Sequence, residues 1–285
     1  MKNNLKTAVI LAAIGGLLIV IGGAIWGGQG AFIGFAIGMV FVGGSYWFSD
    51  KLAIRAAKAV PVTEEQMPRY YAIVRDLCQR ADIPMPNLFV SPDAQPNAFA
   101  TGRSPQHAAV CVNQGILEVL TWEELQGVLA HEISHVRNRD ILISSVAAAI
   151  AMGITLVARM AMWGAMFGGG GGDRDRGNNI FGVLALSILA PIAAAFLQMA
   201  LSRSREFEAD RRGAKLLGTG EPLASALAKL DRGVRAVPSQ VDPAHAQAYI
   251  ANPFSGQKVQ FGNLFQTHPP MDERIRRLRS GEWQR

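Results

Sequence analysis

His131, Glu132 and His135 lie in the stretch "LAHEISHVRNRD", residues 129–140. On a helix, residues four apart project from one face. Two neutral imidazoles so placed can share one Zn2+, each nitrogen about 2.0–2.1 Å from the ion. Glu132 then falls beside the ion rather than on it, where it can take a proton from a water. This H-E-x-x-H pattern points to metal-assisted hydrolysis. A catalytic zinc takes three protein ligands and keeps an open position. The extended H-E-x-x-H-x-x-G-x-x-H form does not apply, because Asn138 and Ile141 stand where its Gly and His would be.

The third ligand must come from elsewhere in the chain. The stretch "LSRSREFEADRRGAKLL", residues 201–217, clusters Glu206, Glu208 and Asp210, with Glu206 and Asp210 four apart on one helix face. One carboxylate can complete the site while another accepts an imidazole N–H and fixes the ring's tautomer. The same acids are equally able to pair at a surface with Arg203, Arg205, Arg211 and Arg212, and the residues alone leave that choice open. A structural zinc would close its fourth position with Cys or His, and no such residue is near. Cys78 and Cys111 form no CxxC pair and no disulfide framework, so both are expected as buried thiols in a reduced compartment.

The elements that must position these groups are legible around them. Thr121 and Glu124 form a capping box that starts a helix expected to run through residue 140 and to carry both histidines. Thr63 and Gln66 form a second box, opening a helix to about Ala81 that Pro84 and Pro86 end. Apolar stretches at Asn87–Val90, Ala98–Ala100 and Ala108–Val112 read as short strands between Pro- and Gly-rich turns. Residues 60–140 are therefore expected to form a compact α+β unit.

Four apolar runs surround this unit. Thr7–Trp26 and Ala31–Phe48 hold 20 and 18 uncharged residues, joined by a four-residue turn at 27–30. Each is long enough to cross a hydrocarbon core of about 30 Å. The first run is too long for a signal peptide's apolar segment and leads straight into a second. The third, Ile141–Ala158, continues past Arg159. The fourth, Ile180–Ala200, contains Pro191, which membrane helices tolerate, and a polar loop, "GGGGGDRDRGNN", separates the two. A buried hairpin in a soluble domain is the competing reading for this second pair. Lys2 and Lys6, then Lys51, Arg55 and Lys58, then Arg203, Arg205, Arg211 and Arg212 flank the runs on one side, which places both termini and the polar segments in the cytoplasm. The expected division is 1–50 as one membrane hairpin, 51–140 and 201–285 as two parts of one catalytic domain, and 141–200 as a second hairpin. Positive mean hydropathy and a charged fraction of 18% suit this membrane reading better than an ordinary soluble domain of about 25%.

Two N-terminal spans, then H-E-x-x-H, an apolar hairpin and S-R-x-x-E-x-x-x-D, in that order, resemble the HtpX family of membrane-bound zinc metalloproteases. These are similar in their catalytic core to the CaaX prenyl proteases. The resemblance implies a mainly helical zincin-like catalytic domain with a small sheet, and one Zn2+ held by His131, His135 and Glu206. It implies Asp210 as support behind a ligand and leaves Glu208 off the motif. "PNAFATG", residues 96–102, resembles the family's edge strand and offers Asn97 to hold substrate backbone. "THPPMDERI", residues 267–275, resembles its C-terminal motif, where His268 faces the oxyanion of the tetrahedral intermediate and Arg274 assists. His107 and His245 match nothing and are expected to be exposed. The family likeness also implies a bacterial-type inner membrane and unfolded or damaged membrane proteins as substrates.

A selective processing peptidase is the rival within this chemistry, and a non-enzymatic membrane protein with a structural metal is the rival outside it. Intramembrane charge would favour transport, yet the two N-terminal runs carry none. The basic end "ERIRRLRSGEWQR" suits either anionic headgroups or a solvated helix end. No aromatic interleaving or known module indicates nucleic acid.

Overall fold

The computed structural model describes residues 50–145, 203–236 and 269–284, with a partial set of positions between 12 and 48. The first apolar run lies almost wholly outside the described residues, the third does so beyond Ser145, and the fourth, His245 and His268 lie entirely outside them. The second run is helical at its described positions and continues so to residue 56. Residues 27–30, expected as a turn, are already helical, and only the left-handed Gly27 (φ 62°) has a turn's geometry. Among the described residues, no helix is long and apolar enough to cross a membrane.

Four strands form one sheet: β1 (Val60–Pro61), β2 (Asn87–Ser91), β3 (Ala98–Gly102) and β4 (Ala108–Asn113). The order is β1-β2-β4-β3, with β2 and β4 parallel and the outer pairs antiparallel. The three expected strands are all present, each one or two residues longer. β1 was not expected, being a two-residue edge piece with too little pattern to read. β3 is the other edge. Asn113 N–H donates to the Asn97 carbonyl at 2.9 Å, so pairing alternates in a way that turns the N–H and C=O groups of Ala98, Ala100 and Gly102 to the open side.

Around the sheet pack α1 (Pro68–Ala81), α2 (Gln114–Val119), α3 (Trp122–Arg137), α4 (Arg203–Leu217), α5 (Glu221–Ala236) and α6 (Met271–Arg279), and residues 140–145 are helical as well. α1 begins later than its sequence suggests. Thr63 N–H does donate to Gln66 Oε1 at 2.9 Å, but this closes a turn rather than a helix. Pro68 explains the delay: it disfavours helical geometry at Met67, which sits at φ −136°, ψ 64°, and then serves as a helix's first residue. α1 buries Tyr70, Val74, Leu77, Cys78 and Ala81, an i, i+4, i+7, i+8, i+11 stripe that faces the core.

α3 forms the centre of the fold. Its capping box is complete: Thr121 Oγ1 accepts from Glu124 N–H, and Thr121 N–H donates to Glu124 Oε2 at 2.8 Å. Leu125, Val128, Leu129, Ile133 and Val136 are buried. Two close approaches allow α3 to be covered by helices on both sides. A Cβ on Gly127 would stand 2.4 Å from Leu223 N of α5, and one on Gly213 of α4 would stand 3.0 Å from His131 N. At Gly127 a Cβ would force the backbones apart, and at Gly213, directly beside a candidate ligand, it would make a tight contact.

Candidate metal centre

α3 presents His131 and His135 one turn apart, with Glu132 between them in sequence, and all three are fully or largely buried. The helix stops at Arg137, three residues short of the expected end, because Arg139 adopts a left-handed conformation (φ 59°). From the far side, α4 delivers Glu206 and Asp210, which are 6% and 4% exposed. Glu208, one position off that face, pairs instead with Arg211 and Arg212.

The ligand atoms converge. His131 Nε2 and His135 Nε2 are 3.1 Å apart, and the rings stand at 86° to one another. Glu206 places Oε2 3.7 Å from His131 Nε2 and Oε1 3.6 Å from His135 Nε2. Ligand atoms about 2.0–2.1 Å from one tetrahedral ion stand about 3.3–3.4 Å from each other, so the three spacings bracket the value a zinc-sized ion needs. These residues are the group that could hold a metal among the described residues.

The outer nitrogens explain the inward aim. His131 Nδ1 lies 2.8 Å from Asp210 Oδ1, and His135 Nδ1 lies 3.2 Å from Asp140 Oδ2. An ionised carboxylate only accepts, so each Nδ1 carries the proton and each Nε2 turns a lone pair toward the other. Facing lone pairs need a cation between them. Without metal that cation is a proton: burial opposes charging His135, but the Asp140 hydrogen bond and the charges of Glu206 and Glu132 outweigh it, and its pKa is pushed up to about 9. The donor set therefore fits a divalent metal.

Behind His131 the support is deeper. Arg274 of α6 is fully buried and donates to Asp210 through Nε at 2.8 Å and Nη2 at 2.7 Å. Burial alone would raise the Asp210 pKa, but the Arg274 charge and hydrogen bond, with His131, hold it down at about 2. The Arg274 guanidinium, expected to assist at the oxyanion, also lies 3.5 Å from His131 Nδ1.

Glu132 is held differently. Ala100 N–H, on the open edge of β3, donates to its Oε2 at 2.9 Å. Burial raises its pKa, and neighbouring Glu206 adds to this, while the two histidines and that hydrogen bond pull the other way. Asn97 immediately precedes β3, is 1% exposed, and commits its carbonyl to β4. His107 is exposed as expected, while both cysteines are buried free thiols, with Cys78 pushed up to about 11 and Cys111 to about 12 by burial. The basic C-terminal stretch is not a free cationic patch: Arg276 pairs with Glu273 and Glu282, Arg277 with Glu273, and Arg279 with Glu221.

Sequence reasoning missed Asp140. In a continuous helix, residues five apart lie roughly 140° apart around the axis, so nothing in the spacing joins it to His135. The left-handed Arg139 makes that join by breaking α3 and turning Asp140 back.

The sequence pattern of peptidase family M48 matches residues 64–282, which include His131, Glu132, His135, Asp140, Glu206, Asp210 and Arg274. A protease HtpX homolog of Syntrophobacter fumaroxidans is 48% identical over 283 residues, covering 98% of this chain and 100% of that one. One from Thermococcus kodakarensis is 49% identical over 276 residues, covering 96% and 94%. The crystal structure of S. mikatae Ste24p shares the fold at a TM-score of 0.52 and 19% identity, covering 97% of this chain and 65% of that one. The chain belongs to peptidase family M48, with HtpX protease homologues as its relatives, and is a metallopeptidase.

Proposed function

We propose that the chain is a membrane-bound zinc endopeptidase that cleaves misfolded or damaged membrane proteins from the cytoplasmic side of a bacterial-type inner membrane. The observation that carries the zinc assignment is the convergence of His131 Nε2, His135 Nε2 and the Glu206 carboxylate at the spacing of a tetrahedral site. Zinc, when bound, supplies Lewis acidity that lowers a water's pKa from 15.7 to about 7 and polarises the scissile carbonyl.

The protein's own groups do the rest. Glu132 takes the proton of the attacking water and passes it to the leaving amine. Ala100 N–H fixes one of its oxygens, so that the other is presented to the water, and burial keeps the carboxylate basic. Asp210 and Arg274 hold His131 in its Nδ1-protonated form. The substrate adds as an extended strand along the open edge of β3, with Asn97 at the entrance. His268 faces the oxyanion.

Residues 1–50 and 141–200 form two membrane hairpins around the catalytic domain of 51–140 and 201–285. Supporting the first hairpin, Phe32, Ile33, Phe35, Ile37, Met39 and Val40 expose large apolar side chains in one stretch of helix. A surface of that kind calls for lipid or a partner.

The test is cleavage of an unfolded protein by the full chain, with and without zinc, beside Glu132→Gln. Zinc-dependent cleavage that vanishes in the variant, with metal still bound, supports the reading. Equal activity in both forms refutes the role of Glu132. Zinc binding without cleavage by wild type favours the narrower processing peptidase.

A further inference from the structure

We propose that Asp140 is a positioning residue of the metal centre, whose carboxylate holds the His135 ring with Nδ1 protonated and Nε2 turned toward His131 and Glu206. This rests on the metal-centre reading above. The Asp210 side of the site was legible from its helix spacing, whereas Asp140 follows a break in the helix and belongs to a different segment.

Three observations support it. Asp140 is 4% exposed, although a carboxylate at the end of a helix has every reason to face water. Its Oδ2 lies 3.2 Å from His135 Nδ1, the only ring nitrogen that the converging Nε2 geometry leaves for it. The segment that carries it is also firmly seated. Residues 140–145 are helical, with Ile141, Leu142 and Ile143 buried. Ser145, five residues on, lies 2.8 Å from Thr101 Oγ1 and accepts from Gly102 N–H at 3.2 Å on the open edge of β3. The described helical residues 140–145 thus brace a metal-binding imidazole at Asp140 and the edge strand at Ser145. A carboxylate on so fixed an element can orient a ring that α3 alone leaves free to rotate about its side-chain bonds.

A structural alternative exists, because aspartate also suits the first turn of a helix through its charge and short polar side chain. Three substitutions separate the two roles. Asn at 140 keeps an acceptor oxygen at the same reach. Ser suits a helix start equally well but is too short to touch His135. Ala does neither.

Zinc would be titrated into the full-length chain against a chromogenic chelator, and cobalt(II) substituted to read the ligand field from its visible spectrum. His135→Ala serves as the control for a lost ligand. Asp140→Ala and Asp140→Ser are expected to weaken zinc binding about 10–100-fold, the usual effect of removing such a partner, and to alter the cobalt spectrum. Asp140→Asn should stay near wild type in both. Wild-type affinity in Asp140→Ser would assign Asp140 to helix capping and overturn the proposal, as would unchanged binding in Asp140→Ala. If Ala fails to fold, the Asn and Ser pair decides alone. Failure of wild type itself to bind zinc would instead remove the metal-centre reading, an outcome plainly distinct from the others.

Discussion

Glu124 at the start of α3 and Glu132 near its end stand two turns apart, and the fold treats them in opposite ways. Glu124 is given every partner it can use: Thr121 N–H and Lys229 Nζ on Oε2, and Ser225 Oγ on Oε1. Burial opposes its charge, but Lys229 and these hydrogen bonds prevail and its pKa is lowered. Glu132 is buried beside another acid, Glu206, with a single backbone N–H, and its pKa is raised. The first end of the helix is built for stability. The second holds a charge at a cost in stability, as the proposed proton-transfer role of Glu132 requires.

The same substitution at both positions tests that contrast most strongly. Glu132→Gln should lower peptide cleavage about 10²–10⁴-fold, while thermal unfolding of the metal-free chain stays unchanged or rises, since a buried charge is removed and the amide still accepts from Ala100. A fall in stability comparable to the fall in activity would break the comparison. Next in size, Arg274→Met strands Asp210 as a buried, uncompensated charge behind His131 and should cost about 3–5 kcal/mol in chemical denaturation. A near-neutral result would mean that water reaches Asp210.

Glu124→Gln should leave cleavage intact and cost about 1 kcal/mol, because Gln still completes the capping box while the charge toward Lys229 is lost and Ser225 must turn to accept from the new amide N–H. The sign of its pH dependence follows from the lowered pKa. A carboxylate with a depressed folded pKa contributes stability above its unfolded value of 4.5 and loses it as pH falls through the folded one. The wild-type advantage over Glu124→Gln should therefore be full at pH 7 and shrink below pH 4.5. Smallest of all, Arg276→Ala on the exposed face of α6 should not measurably move the unfolding midpoint. Its partners are solvated, and exposed pairs contribute little.

α6 makes the same point as α3 on a smaller scale. "ERIRRLR" reads as one basic face, yet Arg274 is sealed against Asp210, Arg276 and Arg277 pair with Glu273 of α6, and Arg279 pairs with Glu221 of α5. Composition could not separate these fates, because they depend on which side of α6 meets α4.

The sequence by itself determined whatever depends on local spacing. The capping box at Thr121, the pairing of His131 with His135, the shared face of Glu206 and Asp210, and the three main strands all follow from periods of 3.6 and 2 and from the chemistry of helix starts. Tertiary structure alone decided which acids became ligands' neighbours and which stayed in solvent. Gly213 matters to the site because it lets α4 touch α3 at His131. Arg274 matters because α6 packs against Asp210, and Asp140 because a left-handed residue turns it back to His135. Each joins segments that are far apart in the chain, or sits where helical periodicity is interrupted. No local pattern records such a meeting, since it is fixed by which helices can approach closely enough to exclude water between them.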